Sequence, residues 1–410
     1  MQVVAGRFLR YFSGLHLCMW ARFRPHGGPR GARRRGRKPE LDVVFYLPSV
    51  GSLLFDTGPP TGGGAETQVY LIARELACRG CAVGLICFPT ERPLPEELHG
   101  IRIFRRPADQ GDRRIVGAVL EALIVMKTIF QIDATVYVQR TGGFHTGLVA
   151  LAARLCRRKF VYSSASPVDF DLAAYGGSRR GRLLFRLGLA LAQAIVVQTE
   201  EQVAMCRKQM GRDPVLIRSL SEVTAYCATD RSLFLWIGRT HPSKRPLDFV
   251  AFASALPSAS FRMILLRTGP WANEVATSVG AAAAAVDNLT VSDGLPRAEV
   301  GRLIDHAVAV VSTSDYEGMP NVFLEAWTRG VPVLSLNCDP DRVIQREGLG
   351  WFAHGSLDTL IDQGHSIWAN RAEFASLAER CRSYIEHYHA PVVIGEHWAR
   401  ILSTYTGSPP

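Results

Sequence analysis

The stretch Ala307-Val308-Ala309-Val310-Val311-Ser312-Thr313-Ser314-Asp315-Tyr316-Glu317-Gly318-Met319-Pro320-Asn321-Val322-Phe323-Leu324-Glu325-Ala326-Trp327-Thr328-Arg329-Gly330-Val331-Pro332-Val333 carries the fold in miniature. Its opening run of Ala and Val is short, apolar and rich in β-branched residues, as in a strand buried on both faces. Polar residues follow, and helical spacing then takes over from Val322 to about Arg329. Gly330 ends the helix, and an apolar strand resumes over Val331–Leu336. A strand, a loop, a helix and a strand in that order predict parallel pairing.

The same alternation extends in both directions. Toward the N-terminus, strands are expected at Asp42–Leu47, Ala82–Phe88, Ile101–Phe104, Ala134–Val138, Phe160–Ser163, Ala194–Val197 and Val215–Ile217. Helical periodicity fills most gaps, as in Glu66–Arg79, Gly147–Cys156 and Glu200–Met210. A polar stretch, Ser219–Arg231, interrupts the pattern. It restarts with Leu233–Ile237, Phe261–Leu266 and Leu289–Val291, and it closes with Gly350–Phe352. The expectation is an α/β protein of two facing, doubly wound Rossmann-like domains with a ligand cleft between them. The first domain spans 41–222 and the second 231–375, and a C-terminal helix at about 384–407 packs back on the first. A length of 410 residues suits two domains. No repeat of solenoid period is present.

The charge is unevenly spread. Residues 1–40 contain ten Arg or Lys and one acid, Glu40, a net of +9, so the remaining chain carries 10 − 9 = +1. Basicity belongs to the leader, and the body lacks the broad basic face of a nucleic-acid-binding domain. Within the leader, Phe8, Phe12, Leu15, Met19 and Phe23 fall at helical spacing among arginines. Two readings stand: a helix on an anionic membrane surface, or a leader without a role. Arg10 and His16 break the apolar segment and argue against a signal peptide. No apolar run reaches membrane-spanning length. Nine scattered cysteines, with Cys78 and Cys81 lacking a second pair, fit buried thiols in a reducing, cytoplasmic compartment.

Four clusters lie at strand ends, where ligands bind in open α/β sheets. Gly62-Gly63-Gly64-Ala65-Glu66 precedes a helix whose N-terminus can meet an anion. A glycine turn with no ligand is the competing reading. Arg239 and Lys244 leave the strand Leu233–Ile237 together and suit a diphosphate, or else are solvated loop charges. Glu317 and Glu325 flank the loop Gly318-Met319-Pro320-Asn321. Carboxylates there can accept hydrogen bonds from sugar hydroxyls, although acids near a helix start also stabilise it. Arg140-Thr141-Gly142-Gly143-Phe144-His145 follows the strand Ala134–Val138. His145 there can bond an acceptor hydroxyl, or be structural. The two D-x-D triplets, 169–171 and 339–341, are near chance frequency and do not argue for a metal. P-loop, zincin and nucleophile-elbow motifs are absent from the sequence.

From Val311 to Ala326, followed by Gly330-Val331-Pro332-Val333, the chain resembles the E-x7-E signature of GT-B glycosyltransferases of glycosyltransferase family 4. Trp236-Ile237-Gly238-Arg239 with Lys244-Arg245-Pro246 resembles that family's donor-phosphate segment, and Gly63-Gly64-Ala65-Glu66 its N-terminal glycine loop. The resemblance runs from about Leu41 to Asp358. It implies a UDP-, GDP- or ADP-sugar co-substrate, transfer with retention of anomeric configuration, and no cofactor or metal. Arg239, Lys244 and Glu317 would be the catalytic set. Gly63, Gly64, Gly318, Met319, Pro320, Asn321 and Glu325 would bind the donor. Glu66, Arg140 and His145 would lie on the acceptor side, with a saccharide or lipid-linked acceptor. Gly318-Met319 stands where the family carries Gly-Phe or Phe-Gly. A sugar-nucleotide epimerase and a non-catalytic nucleotide- or glycan-binding protein are the competing readings. The E-x7-E pair argues against the first, and the full set Arg239, Lys244, Glu317 and Glu325 against the second.

Overall fold

The computed structural model describes residues 39–55, 63–90, 92–108, 115–171, 178–224, 230–371 and 375–407. The leader helix expected in residues 1–40 and the residue Gly62 lie outside them. Strands β1 (Leu41–Tyr46), β2 (Val83–Cys87), β3 (Glu97–Leu98), β4 (Ile101–Arg105), β5 (Ala134–Arg140), β6 (Lys159–Ser163), β7 (Ala194–Val197) and β8 (Val215–Leu216) form one sheet. Their order is β3-β4-β2-β1-β5-β6-β7-β8. The pairing is parallel except for β3 against β4. The sequence pattern missed β3, because two residues cannot show a period.

Helices α1 (Val50–Phe55), α2 (Gly64–Cys78), α3 (Ile115–Gln131), α4 (Phe144–Leu155), α5 (Arg179–Leu191) and α6 (Glu200–Met210) accompany this sheet. The pleat sends alternate β1 side chains to opposite faces. Val43 and Phe45 pack in the core with Leu76 of α2, whereas Val44 and Tyr46 pack with Val125 of α3, Val149 of α4 and Phe185 of α5.

A second, wholly parallel sheet holds β9 (Leu233–Arg239), β10 (Phe261–Leu266), β11 (Leu289–Asp293), β12 (Ala307–Ser312), β13 (Val333–Ser335) and β14 (Gly350–Phe352). Its order is β11-β10-β9-β12-β13-β14. β13 begins later than the expected Val331, since Pro332 has no N–H to give the ladder. Around it lie α7 (Pro246–Ala255), α8 (Ala272–Ala283), α9 (Arg297–Asp305), α10 (Asn321–Thr328), α11 (Val343–Arg346) and α12 (Leu357–Ala369).

The last two helices divide between the sheets. Tyr384 and Ile385 of α13 (Ala375–Tyr388) pack with Trp327 and Val333 in the second core. Ile394, Trp398 and Leu402 of α14 (Pro391–Thr406) are buried in the first, with the Trp398 ring 6.2 Å from that of Phe45. Burying such side chains contributes about 1.5–3 kcal/mol each, so α14 ties the chain's end firmly to the first sheet. No described helix is long and apolar enough to cross a membrane.

Candidate active site

Both sheets are doubly wound: strand order reverses between β1 and β5, and again between β9 and β12. Crevices at the carboxyl ends of those strand pairs are where such sheets bind ligands. The loops after β9 and β12 form the second crevice, and they are stitched together. The Trp236 indole N–H donates to Thr313 Oγ1 at 3.0 Å, the Thr313 hydroxyl donates to the Lys244 carbonyl at 2.7 Å, and the Asp315 N–H donates to the Ser243 carbonyl at 2.8 Å. Arg245 takes a left-handed backbone (φ 46°) between a short 3-10 turn and Pro246, held by an ion pair to Asp248 at 2.6 Å. That turn aims Lys244 inward, where its ammonium pairs with the Glu317 carboxylate. The two charges are mostly shielded, with about a fifth of each side chain exposed (21% and 19%).

Arg239, at the end of β9, is exposed and has no side-chain hydrogen bond or ion pair among the described residues. Its field is still felt. The His241 imidazole is held below its ordinary pKa, first by burial and then by the Arg239 and Lys244 cations. A site that disfavours a third positive charge favours an anion.

The glycine loop of the first half faces this crevice. A Cβ on Gly63 would lie 3.9 Å from the Arg239 guanidinium carbon, and one on Gly64 would lie 3.0 Å from Asn321 Nδ2. Asn321 donates from Nδ2 to the Gly64 carbonyl at 2.9 Å and accepts from Gln68 Nε2 at 3.1 Å. Gly318 fits against the first half as well: a Cβ there would stand 2.8 Å from Gln198 Nε2 and 3.1 Å from the Ala165 carbonyl oxygen. Met319 is buried in the second core and Pro320 caps α10.

Glu325 lies on α10, half-buried, with no hydrogen-bond partner among the described residues. It lines a cavity of about 70 Å³ between the halves, with Gln68, Leu220 and Glu222 on one side and Arg297, Asn321 and Arg329 on the other. Desolvation raises its pKa, Arg297 and Arg329 hold it back, and Glu222 adds to the rise. Sequence reasoning missed Arg297 and Glu222. Nothing local marks them, since they come from α9 and from the stretch after β8.

On the first half, Glu66 is committed to its own loop. Its Oε2 accepts from the Gly63 N–H at 2.9 Å and its Oε1 from the Ser49 hydroxyl at 2.8 Å, which fixes the N-terminus of α2. Arg140 is buried and donates to Ser163 Oγ at 2.9 Å and Gln198 Oε1 at 3.0 Å. Burial lowers its pKa to about 10 against the pull of Asp169, so it stays charged at neutral pH. His145 sits in the first turn of α4, with Nε2 2.7 Å from the Glu121 carboxylate. Glu121 is fully buried and also accepts from the Arg106 guanidinium, a pair the sequence did not reveal. Arg239, Lys244, Glu317, Gly63, Gly64, Gly318, Asn321 and Glu325 thus gather where the halves meet, while Glu66, Arg140 and His145 are tied into the first half. Among the described residues no group of three or more His, Cys, Asp or Glu could hold a metal.

Two facing α/β halves with a charged crevice at the switch point define the GT-B class of architecture. The family model of a glycosyl transferase 4-like domain matches residues 63–221, and that of the glycosyl transferases group 1 matches residues 231–370. Together they span most of the sequence, and the chain belongs to this family of GT-B glycosyltransferases. No curated protein matches the chain by sequence. Sucrose-phosphate synthase from Thermosynechococcus elongatus superposes with a TM-score of 0.74 at 15% identity, covering 91% of this chain and 100% of that one. Anabaena HepE in complex with UDP and glucose gives 0.68 at 16% identity, covering 89% and 100%. The lipopolysaccharide outer core galactosyltransferase WaaB gives 0.59 at 12% identity, covering 88% and 99%.

Proposed function

We propose that the chain moves a sugar from a nucleotide-sugar donor to a saccharide or lipid-linked acceptor, with retention at the anomeric carbon and without a metal. The observation that carries this is the meeting of Arg239, which has no side-chain partner among the described residues, and the Lys244–Glu317 pair at the crevice of the second sheet with Gly63 close to Arg239, while Glu325 lines the neighbouring cavity between the halves beside Asn321. Arg239 and Lys244 would neutralise the leaving diphosphate, the charge that a metal supplies in other designs. Glu325 would accept from the ribose hydroxyls. Glu317 would hold Lys244 in place and meet the donor sugar through its remaining acceptor capacity. The bond from the anomeric carbon to the phosphate oxygen breaks, and the acceptor oxygen attacks from the same face. Its proton passes to the departing phosphate, so no protein nucleophile is required.

The structures of HepE with UDP and glucose and with UDP-glucose favour a uridine donor among the UDP, GDP and ADP candidates. A lipopolysaccharide core transferase of the same fold favours a cell-surface glycan acceptor. We assign the work to the cytoplasm, at the inner face of a membrane when the acceptor is lipid-linked, with the basic leader as one point of attachment. The seven described cysteines are all free thiols, in keeping with a reducing compartment. A thermal-shift series with UDP, GDP, ADP and their sugar conjugates tests the donor. One nucleotide at a hundredfold excess over its Kd should add about 2.7 kcal/mol of stability, and the gain should vanish in Lys244→Ala. No shift with any of them refutes the donor site.

A further inference from the structure

The turn that carries Lys244 is held in a conformation that its own residues do not favour. Arg245 sits at φ 46° and ψ 51°, in the left-handed region, where a side chain crowds the backbone. Pro246 follows at the start of α7, and a residue before proline ordinarily takes an extended backbone instead. Relaxation of Arg245 to that extended state would re-aim the preceding residue, Lys244, relative to α7. The groups packed around the turn therefore have to hold it.

Trp236 and Thr313 supply the hold. Val311 of β12 pairs with Trp236 of β9, which puts Thr313, two residues on, within reach of the indole. The indole lies over Gly238 of its own strand, where a Cβ would stand 2.6 Å from Trp236 Cη2, and its ring centroid is 6.4 Å from that of Phe249 on α7. Trp236 and Thr313 are both buried. An indole N–H can only donate, so Thr313 Oγ1 accepts it at 3.0 Å, and the hydroxyl proton is left for the Lys244 carbonyl at 2.7 Å. Chemistry thus fixes the direction of the relay. Two further ties flank it: the Asp315 N–H donates to the Ser243 carbonyl at 2.8 Å, and the Arg245 guanidinium lies 3.4 Å from the Asp315 carboxylate. Asp315 is exposed, so those ties meet water, whereas the Trp236–Thr313 bond is dry.

We propose that Thr313 is the positioning residue of Lys244: through its hydroxyl, Trp236 holds the left-handed turn at Arg245, and with it the Lys244 ammonium, where the donor diphosphate binds. This rests on the reading of Lys244 as a diphosphate contact. A buried indole takes a hydrogen-bond partner for stability alone, so Lys244 itself, and not the melting point, has to be followed.

The test is a double-mutant cycle on the full chain. Thr313→Val keeps the shape and removes the hydroxyl, and Arg245→Gly frees the left-handed turn of its steric cost. Two quantities are read: the Kd for UDP by calorimetry, and the rate at which acetic anhydride acetylates Lys244, followed by mass spectrometry against the exposed Lys208. Thr313→Val should weaken UDP binding by about tenfold and speed acetylation of Lys244, which its pairing with Glu317 otherwise protects. Thr313→Ser should leave both as in the wild type. In the Arg245→Gly background, Thr313→Val should cost less than about threefold in Kd, because the turn then needs no hold. Equal losses in the two backgrounds overturn the proposal, since Thr313 then acts by another route, and so does a Thr313→Val protein with unchanged Kd and unchanged acetylation. If Thr313→Val does not fold, Trp236→Phe, which removes the donor that orients the hydroxyl, takes its place in both backgrounds. A wild type that binds no UDP while Lys244 acetylation still shifts as expected sinks the donor assignment alone and supports the hold on the turn.

Discussion

Replacing Glu325 with glutamine is expected to make the protein more stable and a poorer donor binder at the same time. The carboxylate is largely desolvated on α10, accepts no hydrogen bond from a described residue, and has its pKa raised above 4.5, foremost by burial. Because the folded chain holds this proton more tightly than the unfolded one, stability falls as pH rises from about 4.5 through the raised value. The penalty is complete only above that raised value. Glutamine keeps the shape and removes the charge. A buried group lacking a partner costs about 1–3 kcal/mol, and the amide retains part of that cost, so the net gain is about 1 kcal/mol. For a chain of this size that is roughly 2 °C in Tm. In the donor complex the sign reverses. Hydrogen bonds from two hydroxyls to a charged acceptor contribute about 1.5 kcal/mol each, so their loss weakens Kd by roughly a hundredfold. Differential scanning fluorimetry from about pH 4 to 8 and calorimetric titration with UDP read the two effects. The variant's Tm advantage should shrink toward acid pH. A lower Tm at neutral pH, or a Kd within about twofold of wild type, would refute the reasoning.

Lys244→Ala should weaken diphosphate binding by about 2 kcal/mol or more and also lower Tm, because Glu317 loses its partner in a mostly shielded site. Arg239→Ala, at an exposed side chain with no hydrogen bond or ion pair among the described residues, should weaken binding with Tm unchanged, and calorimetry beside fluorimetry separates the two. Gly318→Ala should destabilise the packing of the Gly318 loop against the first half by about 1–3 kcal/mol, because Gln198 cannot retreat: its Oε1 accepts from Arg140 and from the Ser219 hydroxyl. Urea unfolding measures that loss, and a wild-type midpoint would contradict the close approach. His389 is buried and held neutral, its pKa lowered from 6.5 to about 4 chiefly by burial. The unfolded chain therefore takes up this proton first, and stability contributed by the neutral ring is lost as pH falls from 6.5 toward 4. His389→Gln should flatten that acid limb of the Tm profile, and an unchanged limb would remove His389 as its cause.

Much of the fold is legible in the sequence because buried parallel strands are short, nearly continuous apolar runs. Ala307–Ser312 and Phe261–Leu266 could be bounded by eye, and both are strands with those limits. Lone strand ends followed by glycine or by a pair of cations then locate the crevices. The two-residue β3 was not legible, and neither were the companions of the candidate site residues. Glu121 reads as one charge in an apolar helix, yet it is the buried partner of both Arg106 and His145. Arg140 reads as a cation at a strand end, yet it turns inward to Ser163 and Gln198.

The sequence by itself determined what is local: the alternation of elements, their faces, the arrival of Arg239, Lys244 and Glu317 after strand ends of one sheet, and Glu325 on the helix that follows. Periodicity, turn chemistry and helix capping act over a few residues, so a few residues suffice to read them. Tertiary structure alone decided which groups meet. Lys244 and Glu317 are 73 residues apart, and Asn321 and Gly64 are 257 apart. Whether α14 covers Phe45 and whether Glu325 has a hydrogen-bond partner among the described residues depend on how whole layers stack. That stacking minimises exposed apolar area over the entire chain at once, and no local stretch of sequence encodes it.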